Sequence, residues 1–306
     1  MFNSDLDTCE LYAAAFSPFD RTGKVNLKPI PPLVDQLIHQ GIHGFYLMGS
    51  TGEGLSITLE QRKQVTEAYM EAVDKRAKVI VNVSHTSYET ATHLTRHATS
   101  LGVDAVSATL PSYYEISSLD QLIYGVQKIA ECQDQVPFLY YHIPGKTHLN
   151  FKMHQFLEGI DHKLPQLGGI KYTSPAIDDF MLCTQLFGDR YKMFFGADEL
   201  FLPALAMGAN AFIGSTYNFM LPLYQSIVKH YARGERGKAI QAYFKVTQVI
   251  DTILGFDALA SQKAVMKMIG HDFGITKSPV RPLSDQEYTL LSGKLEEIHF
   301  LEPQEY

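Results

Sequence analysis

Eight short apolar runs, most followed by a longer stretch with helical periodicity, most restrict the folds open to this chain. The runs lie at residues 11–16, 44–48, 79–83, 105–108, 138–141, 168–171, 192–195 and 211–214. Several are continuously apolar rather than alternating, as strands covered on both faces are. Amphipathic stretches lie between them, for instance at 59–73, 88–101, 119–131 and 177–187. Strands alternating with helices pair in parallel through right-handed crossovers. Eight such units predict a closed (β/α)8 TIM barrel. An open doubly wound sheet is the competing arrangement.

Helix-start signals agree with this layout. Thr58 precedes Leu59-Glu60-Gln61 in a capping-box spacing, and Ser117 stands three residues before Asp120. After about Tyr217 no strand pattern returns, and 221–231, 238–254, 258–269 and 284–295 read as helices. Pro279 and Pro282 mark a connecting loop before the last of them. No low-complexity linker intervenes. The chain therefore reads as one domain over residues 1–306, with a barrel over about 8–232 and additional C-terminal helices over about 233–306.

Composition narrows the function classes. With 306 residues, 45% hydrophobic and 19% charged, the chain can bury one large core. A net charge of -7 argues against nucleic acid or an anionic membrane as partner. Cys9, Cys132 and Cys183 lie far apart with no C-x-x-C spacing, which fits reduced thiols in a cytoplasmic protein rather than a disulfide frame or a metal site. The first seven residues lack the basic and apolar regions of a signal peptide. No uncharged apolar run approaches the ~18 residues of a membrane span.

Barrel enzymes carry their chemistry at the carboxyl ends of the strands. On this layout Ser50 and Thr51 follow the second strand, Tyr113 and Tyr114 the fourth, Asp198 and Glu199 the seventh, and Ser215 the eighth. Tyr141 ends the fifth and Lys171 the sixth. A lysine is costly to bury, so one ending a core strand either snorkels to solvent or is there to react. Reaction with a carbonyl needs a neutral amine, and burial is what lowers a lysine pKa. Gly49-Ser50-Thr51-Gly52-Glu53 offers hydroxyls and backbone N–H groups that suit a carboxylate. It reads equally as an ordinary β–α turn with Glu53 as a helix-start charge. Tyr141 can be a core tyrosine with a satisfied hydroxyl, and Asp198-Glu199 can simply cap a helix.

Three segments shift that balance together: Gly49–Glu53, Tyr140-Tyr141-His142-Ile143-Pro144 and Leu167-Gly-Gly-Ile-Lys-Tyr-Thr-Ser174. They resemble the N-acetylneuraminate lyase/dihydrodipicolinate synthase family of Schiff-base aldolases. The resemblance implies that Lys171 forms an iminium with a 2-oxo acid, that Tyr141 transfers protons, and that Ser50 and Thr51 hold the substrate carboxylate. It implies a covalent lysine Schiff base in place of any metal or other cofactor. Thr173, Gly196, Asp198, Glu199 and the Ser215 of Gly214-Ser-Thr-Tyr-Asn218 correspond to substrate-binding positions, the last three contacting the polyhydroxyl tail of a sialic acid in the lyase branch. Tyr114, or Tyr113 if the register differs by one, corresponds to the residue that touches the active site of an adjacent subunit in a homotetramer built as a dimer of dimers. The expected ligands are a 2-oxo sugar acid and pyruvate, and the expected reaction is cleavage of N-acetylneuraminate to pyruvate and N-acetylmannosamine.

One loop departs from the lyase pattern. After Pro144 it reads Gly145-Lys146-Thr147-His148, where lyases carry a small residue, an apolar residue, Ser/Thr and Gly. Lys146, five residues after Tyr141, either stays solvated or brings a cation to the ligand. The departure keeps open a dihydrodipicolinate synthase-like or 2-keto-3-deoxy sugar acid substrate. His142, on the opposite face of its strand from Tyr141, reads as supporting.

Overall fold

A computed structural model describes residues 9–131 and 136–302. Eight strands close into one barrel in the order β1 to β8: β1 Glu10–Ala14, β2 Gly44–Leu47, β3 Lys78–Asn82, β4 Ala105–Ala108, β5 Phe138–His142, β6 Leu167–Tyr172, β7 Lys192–Phe195 and β8 Ala211–Gly214. The registered pairs from β2 through β8 are parallel. This is the TIM barrel, and the open-sheet alternative is excluded. The helices are α1 Ile30–His39, α2 Leu59–Val73, α3 Tyr88–Ser100, α4 Leu119–Ala130, α5 Pro144–Thr147, α6 Met153–Ile160, α7 Ile177–Phe187, α8 Phe201–Ala206, α9 Tyr217–Ala232, α10 Arg236–Leu254, α11 Ala258–Met268 and α12 Asp285–Glu297.

Contacts group the chain into two units. The first takes in β1 as far as Tyr12, Gly44–Leu47 and Lys78–Gly214. Its strand side chains alternate in the usual way: Tyr12 meets Phe194 edge-on with ring centroids 5.2 Å apart, while Tyr140 faces Phe156 of α6 at 5.2 Å. The second takes in Ala13–His43, Met48–Ala77 and the chain from Ser215 on. Here α1 packs on α2, and α10 on α9, α11 and α12. The Tyr69 hydroxyl donates to Phe16 O at 2.8 Å, which satisfies a fully buried phenol.

Local chemistry explains most boundaries. Thr58 caps α2 by accepting from Gln61 N, and the Gln61 side chain returns the bond. At α4 the cap is Ser118, accepting from Gln121 N, and Ser117 instead bonds the Gln121 side chain. The capping serine is thus one residue later than Ser117, while Asp120 stands in the first turn as expected, where its charge suits the helix dipole. Helix α1 follows no sequence expectation, and it carries two prolines, Pro31 and Pro32. They stand in its first turn, where a missing N–H costs no intrahelical bond. The expected helix at 221–231 is the regular part of α9, whose backbone kinks at Met220 two residues before Pro222.

Candidate active site

The central geometry begins with one extra residue. Strand β6 pairs with β5 through Phe138↔Leu167 and then Leu139↔Gly169, so Gly168 bulges out of register. Continuing the first pairing would set Tyr141 opposite Ile170. The bulge sets it opposite Lys171 instead, and both side chains then point to the same side of the sheet. A side chain at Gly169 would collide with the Lys192 backbone of β7, so this close approach needs glycine. Strand β6 also runs one residue past Lys171, to Tyr172.

Lys171 is buried, with 4% of its surface exposed. Its Nζ lies 3.8 Å from the ring centroid of Tyr141 and 4.4 Å from that of Tyr46, and the two rings meet edge-on at 5.9 Å. Two aromatic faces therefore hold one amine, a setting that favours cationic species formed on that nitrogen. Tyr46 is not among the residues that the sequence motifs single out. Its hydroxyl accepts from Asn82 Nδ2 at 2.9 Å and donates to Ser107 Oγ at 3.2 Å, so β3 and β4 fix its ring. The sequence signal is two polar residues, Asn82 and Ser107, inside the apolar runs 79–83 and 105–108.

Thr173 and Gly196 join Lys171. A Cβ on Gly196 would collide with Thr173 Oγ1 and come within 3.5 Å of Lys171 Cε. Thr173 Oγ1 is buried without a hydrogen-bond partner. Asp198 is buried and Glu199 exposed in a 3-10 turn, Asp198–Leu200, that leads into α8. No side chain caps that turn, and its N-cap is Ala197.

Ser50 is exposed and Thr51 half-buried in the turn after β2, which Met48 ends by adopting a φ of 60°. The turn closes through Glu53 N to Ser50 O at 3.1 Å and Gly54 N to Gly49 O at 3.2 Å. Glu53 is no exposed helix-start charge. It is buried, with its side chain 2.6 Å from Lys263 Nζ. After β8, Ser215 is half-buried, and Asn218 clamps its turn by donating to Ser215 O at 2.7 Å and Ala14 O at 2.8 Å.

His142 points to the other face of β5, as expected. Its ring lies 5.0 Å from that of Tyr172, and burial, against the pull of Asp179, holds its pKa down at about 4, so it is neutral at pH 7. The Tyr172 hydroxyl donates to Asp179 Oδ2 at 3.0 Å, and Asp179 accepts from Met153 N at 2.8 Å. Burial alone would raise the Asp179 carboxyl, but these bonds and that of His154 outweigh it and hold it below the ordinary carboxylate range. The side chain behind Lys171 is thereby tied to α6 and α7.

Like Ser50 and Glu199, Tyr114 and Lys146 lie at the surface of the chain. Tyr114 is 81% exposed beside Tyr113, the rings edge-on at 5.1 Å. Lys146 is exposed on the single turn α5, and His148 ends that turn with a φ of 59°. Cys9 and Cys183 are buried free thiols, and burial pushes the Cys9 thiol up to about 12. Cys132 and the first eight residues lie outside the described residues.

Comparison with known proteins agrees with this architecture. N-acetylneuraminate lyase of Rattus norvegicus is 30% identical over 300 residues, covering 95% of this chain and 92% of the relative. That of Gallus gallus is 32% identical over 294 residues, covering 94% and 95%. Among solved structures, the N-acetylneuraminate lyase of Proteus mirabilis superposes with a TM-score of 0.91 at 30% identity, covering 95% of this chain and 99% of that one. The Aliivibrio salmonicida N-acetylneuraminate lyase, a sialic acid aldolase, gives the same score and identity, covering 95% and 97%. Residues 8–298 match the dihydrodipicolinate synthetase family, and the chain belongs to that family.

Proposed function

We propose that this chain is a class I aldolase, a carbon–carbon lyase that cleaves N-acetylneuraminate to pyruvate and N-acetylmannosamine, working as a single catalytic domain. The observation that carries the reading is the Lys171 amine, buried in the barrel between the Tyr141 and Tyr46 rings at 3.8 and 4.4 Å. The names and near-full-length coverage of the relatives support the substrate.

In this reading Lys171 attacks the C2 ketone of the open-chain sugar acid, Tyr141 gives its proton to the departing hydroxyl, and loss of water leaves an iminium beside the deprotonated Tyr141. Tyr141 takes the proton of the C4 hydroxyl, the C3–C4 bond breaks, and its electron pair moves into the iminium to give an enamine. The sugar aldehyde departs. Protonation of the enamine at C3 and hydrolysis release pyruvate and return the lysine. The two ring faces stabilise the cationic intermediates on nitrogen. Ser50 and Thr51 hold the carboxylate, while Thr173, Gly196, Asp198, Glu199 and Ser215 bind the rest of the substrate. The covalent lysine adduct serves as the electron sink, and no other cofactor is assigned.

The exposed Tyr113-Tyr114 pair supports a homotetramer in which Tyr114 reaches the site of a neighbouring subunit. The buried, unpaired thiols of Cys9 and Cys183 support a cytoplasmic setting. The exposed cation of Lys146 favours one second reading, a related Schiff-base aldolase acting on a more acidic or smaller 2-oxo acid.

A pyruvate-release assay over a panel of 2-oxo sugar acids, together with borohydride trapping of pyruvate, tests the function. Turnover of N-acetylneuraminate and a reduced adduct at Lys171, absent in Lys171→Ala, are expected. An adduct on another lysine, or none, refutes the mechanism.

A further inference from the structure

We propose that the buried ion pair between Glu53 and Lys263 positions the Ser50–Thr51 turn for the substrate carboxylate, making helix α11 a working part of the substrate site. The inference rests on the proposed role of that turn. Glu53 adopts a φ of 54°, a left-handed conformation for which glycine is the inexpensive residue. A large acidic side chain held there implies a use for the carboxylate that outweighs the backbone cost.

That carboxylate is almost wholly enclosed, with side-chain exposures of 3% for Glu53 and 2% for Lys263. Lys263 Nζ lies 2.6 Å from Glu53 Oε1, and Glu53 Oε2 accepts from Lys277 N at 2.5 Å. The same ammonium donates to Ser17 O at 2.9 Å and Ile275 O at 2.8 Å, and it lies over the Phe19 ring at 4.7 Å. Ser17 in turn donates through Oγ to Gly52 O at 2.5 Å. Both residues at the end of the turn, Gly52 and Glu53, are therefore held through Lys263 and its partners. Burial pulls the Lys263 ammonium below its ordinary range, and the neighbouring Glu53 charge opposes that.

The turn transmits this constraint because it has no slack. Glu53 N bonds Ser50 O, so rotating Glu53 rotates the peptide that carries Ser50. A Cβ on Gly54 would collide with Met48 O, and one on Gly52 would come within 2.9 Å of Met48 N. A buried ion pair is seldom more stabilising than an apolar pair of the same volume, so stability alone gives little reason for this one. A fixed orientation of Ser50 and Thr51 does, since a carboxylate site depends on preset donor geometry.

The test uses the full chain and the neutral, near-isosteric variant Glu53→Gln/Lys263→Met, with Glu53→Gln alone as second variant. Circular dichroism and Tm establish folding. The ligand concentration giving half-maximal borohydride trapping at Lys171 is then measured for pyruvate and for methyl pyruvate, which lacks the anionic carboxylate. In each folded variant the pyruvate value is expected to rise about tenfold or more, the loss of a charge-assisted hydrogen bond, with the methyl pyruvate value within about twofold of wild type. Equal shifts for both ligands, or no shift for pyruvate, overturn the proposal. Loss of fold in both variants assigns the pair to folding and also overturns it. Absence of trapping in the wild-type protein overturns the aldolase reading, and this inference with it.

Discussion

Thr173→Val separates stability from activity at the proposed site. The Oγ1 atom of Thr173 is buried, has no hydrogen-bond partner, and occupies the space left by the absent side chain of Gly196. An unsatisfied buried hydroxyl costs about 1–3 kcal/mol in desolvation, whereas a methyl group of the same size gains from burial. Valine keeps the branched shape, and Gly196 offers it a hydrogen rather than a Cβ. The folded protein is therefore expected to gain about 1–2 kcal/mol, seen as a Tm higher by a few degrees. If the hydroxyl serves the substrate, kcat/KM should fall about ten- to a hundredfold, as loss of one hydrogen bond to a polar or charged group predicts. Thermal unfolding and steady-state pyruvate release measure the two effects on the same preparations. A lower Tm refutes the orphan-hydroxyl account, and unchanged kcat/KM refutes the substrate role. Gains in stability with losses in activity are the usual signature of a polar group retained for function.

Other perturbations bear on neighbouring elements. His142 has a folded-state pKa near 4 against an ordinary 6.5, so below about pH 6.5 the unfolded chain takes up the proton first. Stability should fall by about 3 kcal/mol between about pH 6.5 and 4 from this group, in the same direction as the lowered pKa of His271; denaturant unfolding of His142→Phe should show a flatter profile, and an unchanged profile rejects the assignment. Lys146→Leu should raise the ratio of kcat/KM for N-acetylneuraminate over smaller 2-oxo acids, whereas a ratio within about twofold of wild type shows that the ammonium serves only solvent. Tyr114→Phe should lower turnover more than it weakens pyruvate trapping. Light scattering at assay concentration should report a tetramer, and a fully active monomer contradicts the shared-site reading.

What was legible in the sequence is what depends on short range. The strands read as strands because each is a compact apolar run, and the helices between them because their polarity repeats with the helical period. The interval 59–73 matches α2 because Thr58 and Gln61 carry its start signal within four residues. Lys171 could be singled out from the cost of a lysine at the end of such a run, and the Gly49–Glu53 turn from its composition. Helices α1, α5, α6 and α8 are not among the elements that the sequence singles out, since they are short or begin with prolines whose placement in the first turn is visible only in three dimensions.

Barrel closure decided the rest. The Gly168-Gly169 pair is compatible with an irregular strand, but nothing local says that the extra residue turns Tyr141 towards Lys171 rather than Ile170. The Tyr46 ring reaches the same amine because Asn82 and Ser107 approach it from two other strands. Glu53 and Lys263 stand 210 positions apart in the chain, and each taken alone reads as a surface charge. Local periodicity sets which segments become strands and helices. Which side chains then meet depends on strand register and on contacts between distant segments, and these are settled only when the whole chain packs.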